Sequence, residues 1–209
     1  MSERETVVLV HGIWMTGLEL LLLRWRLRRC GYRTRLFRYP SLRRTPAQNA
    51  ARLNRFLAGI EAERLHLLAH SLGGIVLMHL FHAFPRQKPG RVLMLGTPAR
   101  GSELARRIHA RPRLRRLLGK SCEQGLLGGA PDWPPGRELG IIAGDRNVGR
   151  LARLFGGALA PPADGTVRLA ETRIEQARAV LRLPVTHFSM LADRRVAEAA
   201  CRFFASGRF

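Results

Sequence analysis

The sequence predicts an α/β protein with a mostly parallel central sheet and helices on both faces, built as one domain over residues 1–209. Three observations predict it. Short apolar runs alternate regularly with segments of helical spacing, the pattern of a parallel sheet covered on both sides. The run Leu65–Ala69 is nearly all apolar, as befits a parallel strand buried on both faces. Finally, 209 residues that are 46% hydrophobic suffice for one sizeable core.

Taken in order, Thr6–Val10 reads as the first strand, His11–Gly17 as a glycine-punctuated loop and Leu18–Arg29 as a helix. Tyr32–Tyr39 alternates enough for a second strand, stopped by Pro40. Thr45 caps a helix with Pro46 at its first position, which turns Leu53, Phe56, Leu57 and Ile60 inward. Leu65–Ala69 is the third strand, and Ile75–Phe84 continues as a helix up to Pro85. Arg91–Leu95 is a fourth strand, ending in Gly96-Thr97-Pro98. Arg100–Lys120 carries eight cationic side chains against Glu103 alone. It is expected to form short helices beyond a strand's carboxyl end, where the rim of a site would lie. Gly125–Gly136, with Trp133, reads as irregular loop without an obvious partner for the indole. Leu139–Ala143 returns as a strand with Gly144-Asp145 at its end, Arg150–Phe155 as a helical turn, and Gly156–Ala163 as apolar loop. Val180–Leu183 is the last strand, and Ser189–Phe204 closes the chain as an amphipathic helix.

The chemistry centres on Ser71, which falls at the corner between the third strand and its helix. A serine lifted out of a sheet edge on a strained turn needs very small residues two places before and after it, and Ala69 and Gly73 meet that demand. The competing reading is a serine that only caps the helix. A serine hydroxyl is a weak nucleophile, so it needs a histidine to take its proton and a carboxylate to orient that histidine.

Ala69-His70-Ser71-Leu72-Gly73-Gly74 resembles the Gly-x-Ser-x-Gly elbow of α/β-hydrolases, with Ala at the first small position. Asp164-Gly165-Thr166-Val167 resembles the loop in which bacterial lipases keep the triad acid, and Val185-Thr186-His187-Phe188 the loop holding the triad histidine before the final helix. Val10-His11-Gly12-Ile13 resembles the His-Gly-x loop of lipases and esterases. Gly96-Thr97-Pro98 with Gly101-Ser102 resembles the Gly-Thr-Pro-x-x-Gly stretch of the same enzymes. The resemblance covers almost the whole chain. It implies a minimal α/β-hydrolase fold with little or no cap domain, in a small bacterial lipase- or esterase-like serine hydrolase. In the family order Ser, acid, His, it implies Ser71 as nucleophile, Asp164 as acid and His187 as base. It also implies the backbone N–H groups of Ile13 and Leu72 as the oxyanion hole. Asp145, at the end of a strand, competes with Asp164. Among the other histidines, His70 is expected to point to the opposite side of its strand, and His66, His79, His82 and His109 are badly placed to act as a base. Trp14, Leu126, Leu127, Leu159 and Ala160, in loops near the sheet's carboxyl edge, are expected to line the substrate site.

The expected reaction is carboxylic ester cleavage. The alternatives are a thioesterase or amidase using the same triad, or a basic membrane- or nucleic-acid-binding module on a hydrolase scaffold. No dinucleotide fingerprint, phosphate-binding loop or metal-ligand spacing occurs, so no cofactor and no metal is called for. The formal net charge is +21, mostly from arginine. It points either to peripheral contact with an anionic membrane or to arginine-rich composition alone, and nucleic acid is not the expected partner. Cys30, Cys122 and Cys201 are odd in number and far apart, so reduced thiols and a cytoplasmic place are expected. No segment is long and apolar enough to span a membrane. Oligomeric state is left open.

Overall fold

The computed structural model describes residues 5–148, 152 and 154–209. Six strands form one sheet: β1 (Glu5–Val10), β2 (Arg33–Phe37), β3 (Arg64–His70), β4 (Val92–Leu95), β5 (Leu139–Gly144) and β6 (Ala179–Leu183). Their order is β2-β1-β3-β4-β5-β6, and every neighbouring pair is parallel. Of the helical turn expected over Arg150–Phe155, positions 150, 151 and 153 lie outside the described residues.

Val7 to Val10 are all fully buried, because successive side chains of a strand point to opposite faces and both faces here are covered. Val8 and Val10 join one apolar layer with α2 (Pro46–Ala58) and α3 (Leu72–Ala83). Val7 and Leu9 join the other, with α1 (Leu21–Arg29) and the C-terminal α5 (Arg194–Ser206). Helix α2 begins where the sequence places it. The Thr45 hydroxyl accepts the Gln48 N–H, the Gln48 carboxamide accepts the Thr45 N–H, and Pro46 occupies the first turn. Helix α3 is buried on all sides from Leu72 to Phe81, so it has no polar face to show.

The sheet order also locates the site. From β1 the chain goes to β2 on one side and then to β3 on the other, so the strand order reverses between β1 and β3. In open α/β sheets the crevice outside the carboxyl ends of such a pair is where ligands bind. His11–Gly17 leaves β1 and Ser71 leaves β3 at that crevice. The β4–β5 connection, residues 96–138, contains only α4 (Glu103–His109) and two 3-10 turns, Arg115–Leu117 and Gly119–Cys122, so this connection holds no cap domain.

Four expectations are corrected. The first helix opens with a separate 3-10 turn, Leu18–Leu20. The last one is interrupted after a 3-10 turn at Ser189–Leu191, because Asp193 accepts the Arg195 N–H at 2.8 Å and starts α5 afresh. Trp133 is buried, edge-on to Phe81 at 5.0 Å, and its indole N–H donates to the Arg137 carbonyl. Cys30 and Cys201 form a disulfide, leaving Cys122 as the free thiol. The pairing is invisible in sequence because 171 residues separate the cysteines. Packing brings them together: Cys30 ends α1, Cys201 lies within α5, and the two helices share one face of the sheet. The premise of three reduced thiols behind the cytoplasmic expectation therefore fails. Among the described residues no helix is long and apolar enough to cross a membrane.

Candidate active site

Ser71 has φ 53° and ψ −122°, a positive φ that a residue with a Cβ adopts only when the surroundings force it. The forcing groups are on both sides. Ser71 N–H donates to the Leu95 carbonyl at 2.9 Å, which ties the corner to the end of β4. Behind it, a methyl group on Gly73 would stand 2.6 Å from the Val10 carbonyl oxygen and 2.7 Å from that of His11. The start of α3 thus rests directly on the loop leaving β1. The Ser71 side chain makes no capping hydrogen bond to α3, so the helix-cap reading finds no support.

His187 and Asp164 are joined twice. The His187 N–H donates to the Asp164 carbonyl at 2.9 Å, and Nδ1 lies 2.7 Å from Asp164 Oδ2. Since a carboxylate only accepts, the proton belongs on Nδ1 and Nε2 is left as an acceptor. The other carboxylate oxygen, Oδ1, accepts the N–H groups of Thr166 and Val167 at 2.9 and 2.7 Å. Asp164 and His187 are both buried. The Asp164 N–H closes the loop on the Val167 carbonyl. Gly96, next after Leu95, has φ 54°, and a side chain there would come within 3.1 Å of Asp164 Oδ2 and of His187 Nδ1. Ser71 and the His187–Asp164 pair therefore both border the Leu95–Gly96 backbone. On the other side of Ser71, a methyl on Gly12 would lie 3.1 Å from its Cβ, which places the Ile13 loop against it. As the first residue of α3, Leu72 has an N–H without an intrahelical acceptor.

The sequence profile of the alpha/beta hydrolase family matches residues 7–206. The chain belongs to that family. Among solved structures, this alpha/beta hydrolase is similar to the lipase BlEst2 of Bacillus licheniformis, with a TM-score of 0.74 and 19% identity over 98% of this chain and 92% of that one. It is similar to a metagenomic carboxyl esterase, with a TM-score of 0.66 and 19% identity over 91% of this chain and 66% of that one. It is also similar to the thioesterase domain of the curacin biosynthetic pathway, with a TM-score of 0.61 and 15% identity over 98% and 92%. At these identities the likeness concerns the fold. No curated protein sequence matches significantly.

In this alpha/beta hydrolase the Asp145 carboxylate pairs with Arg182. Trp14 stands at the rim, exposed and with φ 60°, and its indole N–H donates to the Leu117 carbonyl at 2.7 Å. The basic segment thereby closes against the loop after β1. Leu126 and Leu159 are buried in the α2–α3 core layer and Leu127 packs against it, while Ala160 is exposed.

Two further histidines lie at the site: His70, of the elbow segment, and His11, of the His-Gly loop. His70, expected on the far side of β3, instead lies against His187 with ring centroids 4.6 Å apart, and its Nε2–H donates to the His187 carbonyl at 3.0 Å. Burial and the neighbouring imidazole hold it well below the usual histidine pKa. His11 stacks on Tyr39, accepts the Tyr39 N–H on Nε2 and donates from Nδ1 to the Gly12 carbonyl, so it fixes the loop as a neutral imidazole. Burial lowers its pKa as well. Glu171 braces the acid loop from outside. Its carboxylate accepts the N–H groups of Arg168 and Glu103 at 2.9 and 2.6 Å, and burial raises its pKa.

Proposed function

We propose that the chain is a serine hydrolase that cleaves carboxylic esters through an acyl-enzyme. The observation that carries this reading is the buried Nδ1–H···Oδ2 bond between His187 and Asp164, made beside Gly96, the residue after the Leu95 carbonyl to which the strained Ser71 corner is tied. A base oriented in that way presents Nε2 as an acceptor. Ser71 Oγ attacks the acyl carbon while its proton passes to Nε2. Asp164, held by two backbone donors, keeps the imidazole oriented and stabilises the imidazolium. The oxyanion takes hydrogen bonds from the N–H groups of Leu72 and Ile13. Collapse expels the alcohol, which carries away the Nε2 proton. A water then repeats the sequence on the acyl-enzyme, with His187 again as base. A non-enzymatic module would leave the His187–Asp164 pair without a task.

Thioesters pass through the same tetrahedral intermediate, and both ester and thioester hydrolases occur among the similar structures. The short β4–β5 connection, with α4 as its one α-helix, supports small or interfacial acyl substrates in either series. The test is a fluorophosphonate probe followed by peptide mapping, run beside a chain-length series of nitrophenyl esters and acyl thioesters. The expected result is a label on Ser71 that Ser71→Ala abolishes and His187→Ala strongly slows, with faster turnover of esters. An unlabelled Ser71 overturns the mechanism, and preference for thioesters reassigns the substrate.

A further inference from the structure

We propose that the first two turns after the β1 loop form a docking face for an anionic bilayer. Leu18, Leu21, Leu22 and Trp25 recur at helical spacing on one side and are 42–57% exposed. Leu20, Leu23 and Leu27, on the opposite side, are already fully buried against the sheet. The exposed stripe lies opposite the buried one, so this segment carries apolar side chains that the fold itself leaves uncovered. Single exposed leucines are ordinary, whereas a contiguous stripe marks a contact surface. Because α1 runs back from the carboxyl edge, where β1 ends, to the amino edge, where β2 begins, the leucines lie at the mouth of the site. Two more exposed apolar side chains flank that mouth: Trp14, bonded to the Leu117 carbonyl, and Phe188, next after His187.

Charge complementarity selects the occupant. Segment 18–29 holds four arginines and one acid, Glu19, which is engaged by the N–H groups of Thr16 and Gly17. Arg29 lies 5.0 Å above the Trp25 ring, a pairing of amphipathic indole and cation suited to the headgroup level. Across the mouth, Arg111, Arg113, Arg115 and Arg116 are all exposed on the stretch that Trp14 holds. Leucines ringed by guanidiniums fit acyl chains beneath anionic headgroups. A second copy fits poorly: four side chains fall far short of the roughly 800 Å² that each partner gives to a standard interface, and each copy carries a net +21. Nucleic acid would engage the arginines and leave the leucines in water.

The test is flotation with phosphatidylglycerol-containing vesicles against pure phosphatidylcholine vesicles, at low and high salt. Wild type should bind the anionic vesicles at least tenfold more tightly than the neutral ones, and less so in high salt. The pair Leu21→Gln with Leu22→Gln should lose at least tenfold in binding, while its turnover of a short soluble ester stays unchanged. Brominated phosphatidylglycerol, which needs no change in the stripe, should quench tryptophan emission, and Trp25→Phe should remove a clear share of that quenching. Ser71→Ala should bind like wild type, so docking is read independently of the proposed chemistry. The proposal is overturned if the leucine variant binds as wild type does, if wild type ignores anionic vesicles, or if the stripe instead supports a dimer that the leucine variant dissolves.

Discussion

His70 holds His187 by its backbone: the Nε2–H of one donates to the carbonyl of the other at 3.0 Å, with the two rings in contact. The loop that presents the proposed base is therefore fixed from the strand that presents the proposed nucleophile. His70→Phe keeps the ring but removes the donor and leaves a buried carbonyl unpaired, at about 1–3 kcal/mol of stability. Turnover should fall roughly 10- to 100-fold with little change in KM, as expected when a reacting group is displaced by up to about an ångström. His70→Gln, which can still donate, should recover part of it. Thermal unfolding and steady-state kinetics on one short ester check both effects, and an unchanged kcat in His70→Phe would count against a positioning role.

Ser71→Ala and His187→Ala should each lower kcat by about 10⁴ to 10⁶, and the double variant by hardly more, because the residues of a triad act as a unit. Additive losses in the double variant would show two independent functions. Ser71→Ala should remain folded, since its side chain caps nothing.

The two acids separate cleanly. Asp164→Asn replaces the acceptor of the Nδ1–H bond and should cost about 10⁴ in kcat. Asp145→Asn loses only a pair with the exposed Arg182, worth less than about 1 kcal/mol, and should leave turnover intact. Kinetics on the two purified variants decide, and a reversed order would make Asp145 the acid.

Stability should depend on pH through a histidine remote from the chemistry. His66 is buried beneath Phe204, accepts the Arg91 N–H on Nδ1, and is pushed down to about 4, chiefly by desolvation. Its folded-state pKa lies below its unfolded value, so the unfolded chain binds the extra proton. The stabilisation is present in full above about pH 6.5 and is lost as pH falls towards about 4, by up to about 3 kcal/mol. Urea titrations at pH 7 and pH 4.5 should show the loss, and His66→Asn, whose carboxamide oxygen can accept the same N–H, should show less of it.

Periodicity made the architecture readable: the apolar runs at Val7–Val10 and Leu65–Ala69 are strands buried on both faces, and Thr45-Pro46 opens a helix at the expected residue. Ser71 was legible for a local reason, because the steric demands of its corner are written in Ala69 and Gly73. What escaped depends on distant chain coming together. The His70 contact needs the end of β3 to lie beside a loop 117 residues later. The Cys30–Cys201 bond needs α1 and α5 on one face, and Trp133 looks solvent-bound until Phe81 is placed against it. Leu126 and Leu159, which lie in loops near the sheet's carboxyl edge, are also members of the core, a role that an irregular loop sequence does not show.

Among the described residues, the sheet ends in two strands that pair on one side only, β2 and β6. An open edge is a template on which another copy's strand can add, and the usual protection is charge on the edge strand. Strand β2 alternates exposed Arg33 and Arg35 with buried Thr34. Two copies meeting edge to edge would press these guanidiniums together. Part of the positive charge thus acts as a gatekeeper against fibrous or amorphous self-association, and concentrated, low-salt solutions should stay clear for that reason.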